Sequence, residues 1–262
     1  MQLPFYQIDA FTDTLFGGNP ACVIPLQQWL PDEMLLKIAR ENAVAETAFF
    51  LPQGDDFALR WFTPEIEMDL CGHATLATAH VIISLLQHSS HRLLFNSASG
   101  PLKVEADGDL YTLRFPSRKP VPAVLPEAIS RSLGKQPLEV WKSRDYILVY
   151  ATETDIREMK PDRQVMDQIN LDPGGVVITA PGVHCDFVSR FFTPQASIFE
   201  DPVTGSAHCS LIPYWSGRLG KRQLTAMQLS DRVGTLYCGD HDTVVTIAGY
   251  ARTYATGSIR IG

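Results

Sequence analysis

Hydrophobic and polar positions follow the same order twice along the chain. Pro31 to Asn42 and Pro161 to Asn170 each open on Pro-Asp, the form of a helix start. An apolar run follows each, Glu46 to Leu51 and Val176 to Ala180, and each reads as a strand. The next strand ends on Phe62-Thr63-Pro64 in one half and Phe192-Thr193-Pro194 in the other, where proline stops the ladder. A helix of small residues then begins at Gly72 or Gly205. Alternating strands close each half, Leu102 to Ala106 with Tyr111 to Phe115, and Thr235 to Cys238 with Thr243 to Ala248. Turns are expected at Asp107-Gly108 and Gly239-Asp240. His73 to Leu86 is apolar nearly all round, which predicts a buried helix wrapped by a sheet.

The repetition extends to residue identity. Pro31-Asp32, Asp56-Phe57 and Arg60 to Pro64 recur as Pro161-Asp162, Asp186-Phe187 and Arg190 to Pro194, at a common offset of about 130. After an insertion, Cys71-Gly72-His73-Ala74 falls opposite Thr204-Gly205-Ser206-Ala207, and Ser99-Gly100-Pro101-Leu102 opposite Val233-Gly234-Thr235-Leu236. Pro116, Pro120 and Pro122 mark a boundary near residue 120. The expected fold class is α+β, two related domains with a cleft between them.

Composition narrows the partners. A hydrophobic share of 45% and a charged share of 19% exclude a disordered tail, a coiled coil and a collagen-like repeat. The net charge of −7, with no basic run, argues against nucleic acid and against a membrane surface, leaving small metabolites, anionic ones included. The N-terminus lacks the form of a signal peptide. The longest apolar stretch, Ala74 to Leu86, is interrupted and falls short of the ~18–20 residues of a membrane span. Five scattered cysteines without a C-x-x-C suit a reduced, cytoplasmic setting.

Positions that differ between the halves are candidates for chemistry. Glu46 is the lone ionisable side chain of its apolar run, opposite Val176, and a buried carboxyl there suits proton transfer; a strand-edge glutamate facing water is the alternative. His73 leads the buried helix opposite Ser206, either as a hydrogen-bonded structural group or at an anion site, because both helix starts present backbone N–H groups. Glu200-Asp201-Pro202 falls in the insertion, where Asp201 either caps a turn or serves the site. Cys71 sits at a helix start that would stabilise a thiolate, although a buried structural cysteine is the plainer reading. His184-Cys185 and His208-Cys209 are adjacent pairs that do not readily aim at one zinc. No nucleotide, zincin or serine-hydrolase motif appears.

Several stretches together resemble a known family. They are Asp9-Ala10-Phe11-Thr12, Phe16 to Ala21, Glu46 to Phe49, Arg60 to Pro64, Asp69 to Thr75 and Glu200 to Ala207. In this order they resemble the phenazine-biosynthesis-like (PhzF-type) isomerases of the diaminopimelate epimerase-like fold. The resemblance implies two pseudo-symmetric domains, each a curled, mostly antiparallel sheet around a central helix, with the site between them. The first is expected over residues 1–117 with a C-terminal strand near 253–262, the second over 118–252. It implies no metal or organic cofactor, a homodimer, and a small carboxylate substrate. Glu46 is then the general acid/base, assisted by His73 and Asp201. Gly18, Asn19, Gly72, His73, Gly205 and Ser206 are the expected substrate contacts. The epimerases of this fold resemble a two-cysteine design; here Cys71 matches the first position and Thr204 the second, which disfavours a two-thiol racemase. An amino-acid racemase acting through Cys71 and a non-catalytic binding protein are the other readings.

Overall fold

Short apolar runs punctuated by proline and glycine give a chain that is mostly sheet with few helices. The computed structural model describes residues 1–171 and 174–262. It divides into two compact units, Met1–Phe115 with Ile247–Gly262, and Pro116–Thr246.

In the first unit β1 (Gln2–Ala10) pairs antiparallel with β2 (Asn19–Pro25) and with the last strand, β17 (Val244–Arg260). α1 (Asp32–Asn42) follows Pro31, and Asp32 and Glu33 in its first turn complement the helix dipole. β3 (Glu46–Gln53) runs parallel to β2, with Glu46 opposite Ala21, and antiparallel to β4 (Asp56–Phe62). β5 (Glu67–Met68) pairs with the end of β4, and β6 (Arg92–Ser97) runs parallel to β4. β7 (Gly100–Asp107) and β8 (Leu110–Pro116) complete the unit's hairpins. α2 (Gly72–His80) packs on β1, β2 and β3, and every residue from His73 to His80 is buried, as a helix without a polar face must be. The burial expected through Leu86 stops at Ile82. The helix widens into a π turn over Val81–Leu85, and Leu86 is 47% exposed.

The second unit opens with β9 (Val121–Pro122), α3 (Glu127–Leu133), β10 (Glu139–Lys142) and β11 (Tyr146–Val149); β9, β10 and β11 pair antiparallel. After α4 (Glu153–Glu158) and α5 (Arg163–Met166), β12 (Val176–Pro181) runs parallel to β11 and antiparallel to β13 (Phe187–Phe192). β14 (Glu200–Asp201) pairs with β13. α6 (Gly205–Leu219) packs on β15 (Gln223–Gln228) and β16 (Gly234–His241). β15 runs parallel to β13 and antiparallel to β16. On α6 Trp215 stacks on Phe187 with centroids 5.6 Å apart, and its indole N–H donates to Thr179 Oγ1 at 3.0 Å.

Three local expectations need correction. The helix expected over Pro161 to Asn170 is a single turn, α5. After Met166 the bonds tighten to the three-residue form, the Gln168 N–H donating to the Val165 carbonyl and the Ile169 N–H to the Met166 carbonyl, both at 3.2 Å. The second-unit turn falls at Asp242-Thr243, with Asp242 at φ 68°, while Gly239 lies inside β16. Glu200 and Asp201 do not belong to extra chain. They pair with Phe192 and Phe191 as Glu67 and Met68 pair with Phe62 and Trp61, so the insertion is the longer loop before them, 193–199 against 63–66.

Candidate functional site

The turn before β2 determines where Asn19 points. Gly18 has φ +62°, and a Cβ there would lie 2.0 Å from the Ala10 carbonyl oxygen, so only glycine fits. Asp9 Oδ2 accepts the Phe16 N–H at 2.9 Å and steadies the same loop. Asn19 then enters β2 opposite Ala10, fully buried. Its side-chain amide meets His73 Nδ1 at 3.2 Å.

His73 is the second residue of α2, and three groups from separate parts of the first unit surround it. Asn19 comes from β2, Glu46 from the first position of β3, and Cys71 from the position before the helix. Cys71 Sγ lies 3.6 Å from Nδ1, and Glu46 Oε2 lies 3.1 Å from Nε2. The last pair is in contact but not aligned as a hydrogen bond. Both atoms are buried and lack an aligned partner among the described residues. A sulfur, a ring nitrogen and a carboxylate oxygen thus lie within 4.8 Å of one another, close enough to be three ligands of one ion. An ion held by all three would have to pull the ring off one contact, because Nδ1 faces the sulfur and Nε2 the carboxylate.

The electrostatics are coupled. Burial works against a charged His73 ring, but Cys71 and Glu46 outweigh it and raise the ring well above the ordinary imidazole range. Burial raises the Cys71 thiol and Glu46 raises it further, against the opposing pull of His73 and the Ala74 N–H. Sulfur on Nδ1 and carboxylate on Nε2 thus flank the ring from both sides and together favour its charged form. α2 carries no side-chain cap and no acid in its first turn, so its positive end faces the same place from Gly72 onward.

The structure therefore brings Gly18, Asn19, Glu46, Gly72 and His73 to one end of α2 in the first unit. Asp201, Gly205 and Ser206 belong to the second. There Thr204 Oγ1 donates to Asp201 Oδ2 at 2.5 Å. Gln228, 1% exposed, donates to the Asp201 carbonyl at 2.7 Å and accepts the Thr204 N–H at 2.9 Å. Gly205 is buried and Ser206 half-buried in the first turn of α6. Sequence reasoning missed Gln228, and it kept Cys71 open between a buried structural residue and a reactive one; its buried sulfur touches His73. A polar residue at the buried end of an otherwise alternating strand was the available signal for Gln228. All five cysteines are free, and no helix among the described residues is long and apolar enough to cross a membrane.

Residues 8–257 match the sequence model of the family described as phenazine biosynthesis-like protein. The chain is 46% identical over 261 residues to an uncharacterized isomerase of Pseudomonas aeruginosa, with 100% of both chains covered. It is 42% identical over 241 residues to an uncharacterized isomerase of Halalkalibacterium halodurans, with 90% of each covered. The crystal structure of a PhzF-family protein from Enterococcus faecalis superposes with a TM-score of 0.95 at 43% identity, covering 100% of both chains. A predicted epimerase from Pseudomonas aeruginosa superposes at 0.73 with 18% identity over 99% of this chain and 100% of that one, a likeness of fold alone. The chain belongs to the phenazine biosynthesis-like family, and it is an isomerase of that family.

Proposed function

We propose that the protein moves a proton between carbons of a small unsaturated carboxylic acid, with Glu46 as the single general acid/base. The observation that carries this reading is the pair Glu46 Oε2 and His73 Nε2. Two buried polar atoms 3.1 Å apart, neither with an aligned partner among the described residues, present an acceptor and a donor to one ligand. The Glu46 carboxylate takes a proton from a carbon next to the conjugated system and becomes a carboxylic acid. The electron pair delocalises toward the substrate's acid group, where the His73 cation and the first N–H groups of α2 stabilise it. Glu46 then returns the proton to a second carbon, and the net change is isomerisation. Asp201 enters as an assisting catalytic group, and Gly205 and Ser206 as substrate contacts, all proposed from the sequence. Cys71 is a poor base for a racemase, because burial and Glu46 both keep its proton on sulfur.

The two units further read as one scaffold used twice. The pairings β2 parallel to β3, β3 with β4, β4 with β5 and parallel to β6, and β6 with β7 have matching partners. These are β11 parallel to β12, β12 with β13, β13 with β14 and parallel to β15, and β15 with β16. α2 and α6 occupy the same place in that order.

The test is hydrogen exchange in D2O on a panel of small unsaturated acids, followed by NMR. The wild-type protein incorporates deuterium into at least one, and Glu46→Gln lowers the rate by about 100-fold or more, the usual size of general acid–base catalysis. Full turnover by Glu46→Gln would refute the assignment.

A further inference from the structure

Two side chains of different elements share one nitrogen of His73. The Asn19 amide, from β2, is 3.2 Å from Nδ1, and the Cys71 sulfur, from the helix start, is 3.6 Å from the same atom. Each can give or take a hydrogen bond. An amide turns either its NH2 or its oxygen toward a neighbour, and a thiol either donates S–H or accepts at sulfur. When the ring is neutral with its proton on Nε2, Nδ1 is a lone pair, and Asn19 N–H or Cys71 S–H donates to it. When the ring is charged, Nδ1 carries a proton, and Asn19 Oδ1 or the sulfur accepts it. Nδ1 keeps a partner in both states, and Nε2 stays beside Glu46 throughout.

We propose that Asn19 is a positioning residue that acts through His73: its reversible amide holds the ring on Glu46 while the ring changes charge. This differs from the substrate contact expected of Asn19 from the sequence. Its placement supports the role, since Asn19 is fully buried, paired through β2 to Ala10, and aimed by a turn that only Gly18 can make. Asn19 is neutral, and the titratable groups acting on the ring are Cys71, from the start of α2, and Glu46, from β3. The proposal rests on the reading of Glu46 and His73 as the reacting pair, and its test separates the two.

In the wild-type protein, with histidine rings and asparagine side chains labelled with 15N, the Asn19 NH2 signals must shift with the midpoint of His73 protonation. Asn19→Asp replaces the reversible amide with an acceptor. A carboxylate at this distance raises the proton affinity of His73 by about tenfold or more, and the pH profile of deuterium incorporation moves up with it. Asn19 signals that ignore His73, or an Asn19→Asp ring that titrates within twofold of wild type, would overturn the role. The wild-type measurement stands even if the variant does not fold. Glu46→Gln lowers the ring's proton affinity and leaves the Asn19 coupling in place. Coupling retained in a fully active Glu46→Gln overturns only the catalytic reading. Coupling absent with Glu46→Gln inactive overturns only the role of Asn19.

Discussion

Two histidines outside the site control how the fold responds to acid. His80, in α2, pairs through Nδ1 with Tyr111 Oη at 3.1 Å and through Nε2 with Thr253 Oγ1 at 2.8 Å, one nitrogen donating and the other accepting in the neutral ring. His208, in α6, lies 2.8 Å from the Thr204 carbonyl through Nδ1, and its other nitrogen is buried without a partner among the described residues. Burial lowers each from 6.5 to about 4, so both are neutral in the folded protein at neutral pH. The unfolded chain binds a proton at each below pH 6.5, and the folded chain does so only below about 4. Stability therefore falls as pH falls through that window. Between pH 7 and pH 4.5 the loss is about 2 kcal/mol per histidine, from ~1.4 kcal/mol for each unit of pH across which the two states differ by one proton. His73 has the opposite sign. Its raised proton affinity contributes stability that is complete below about 6.5 and is lost only as pH rises through its folded value, so it adds nothing to the acid slope. Urea unfolding at the two pH values measures the difference, and His80→Gln should shrink it by about 2 kcal/mol. An unchanged difference in both His80→Gln and His208→Gln would refute the assignment of neutral buried rings.

Two further substitutions test the scaffold. Gly18→Ala places a methyl group 2.0 Å from the Ala10 carbonyl at a left-handed φ, and is expected to cost about 2 kcal/mol or more; an unchanged melting temperature would contradict the turn geometry. Trp215→Ala removes the ring stacked on Phe187 and the hydrogen bond to Thr179, at an expected cost of about 3–5 kcal/mol in denaturant unfolding. A loss below about 1 kcal/mol would mean that α6 does not anchor the core of the second unit.

What the sequence made legible follows from the range of each interaction. α2 was readable because a helix start followed by residues apolar nearly all round predicts burial, and His73 to Ile82 are buried; Glu46 stood out as the one charge of an apolar run. The shortening of α5 was not readable, since nothing in the pattern of Pro161 to Asn170 marks where four-residue bonds give way to three-residue ones. Asn19 and His73 are 54 positions apart, and only the register of β2 against β1, with the placement of α2 on that sheet, brings amide to ring. The Thr204–Gln228 clamp spans 24 positions for the same reason. Glu200 and Asp201 of β14 were read as inserted residues because the longer loop before them shifts the register. Arg60 pairs with Glu67 at 2.6 Å and Arg190 with Glu200 at 2.7 Å, the second acid standing three positions later relative to its arginine.

The helix starts fall into two groups. α1 and α3 carry acids in the first turn, Asp32 with Glu33 and Glu127. α4 has a full capping box built on Thr152, and α5 is capped by Asp162. Among the described residues only α2 and α6 have neither a side-chain cap nor a first-turn acid. A missing cap typically forgoes about 1 kcal/mol. In α6 the omission is not for want of a capping residue. Thr204 stands at the N-cap, yet its hydroxyl donates to Asp201 and accepts from Gln228 at 3.2 Å rather than turning to the helix. A cap oxygen there would fill the partial positive charge that an anionic ligand needs. At α2 the uncapped start lies next to His73 and Glu46, so the proposed proton transfer and the proposed grip on a substrate's acid group draw on one helix end.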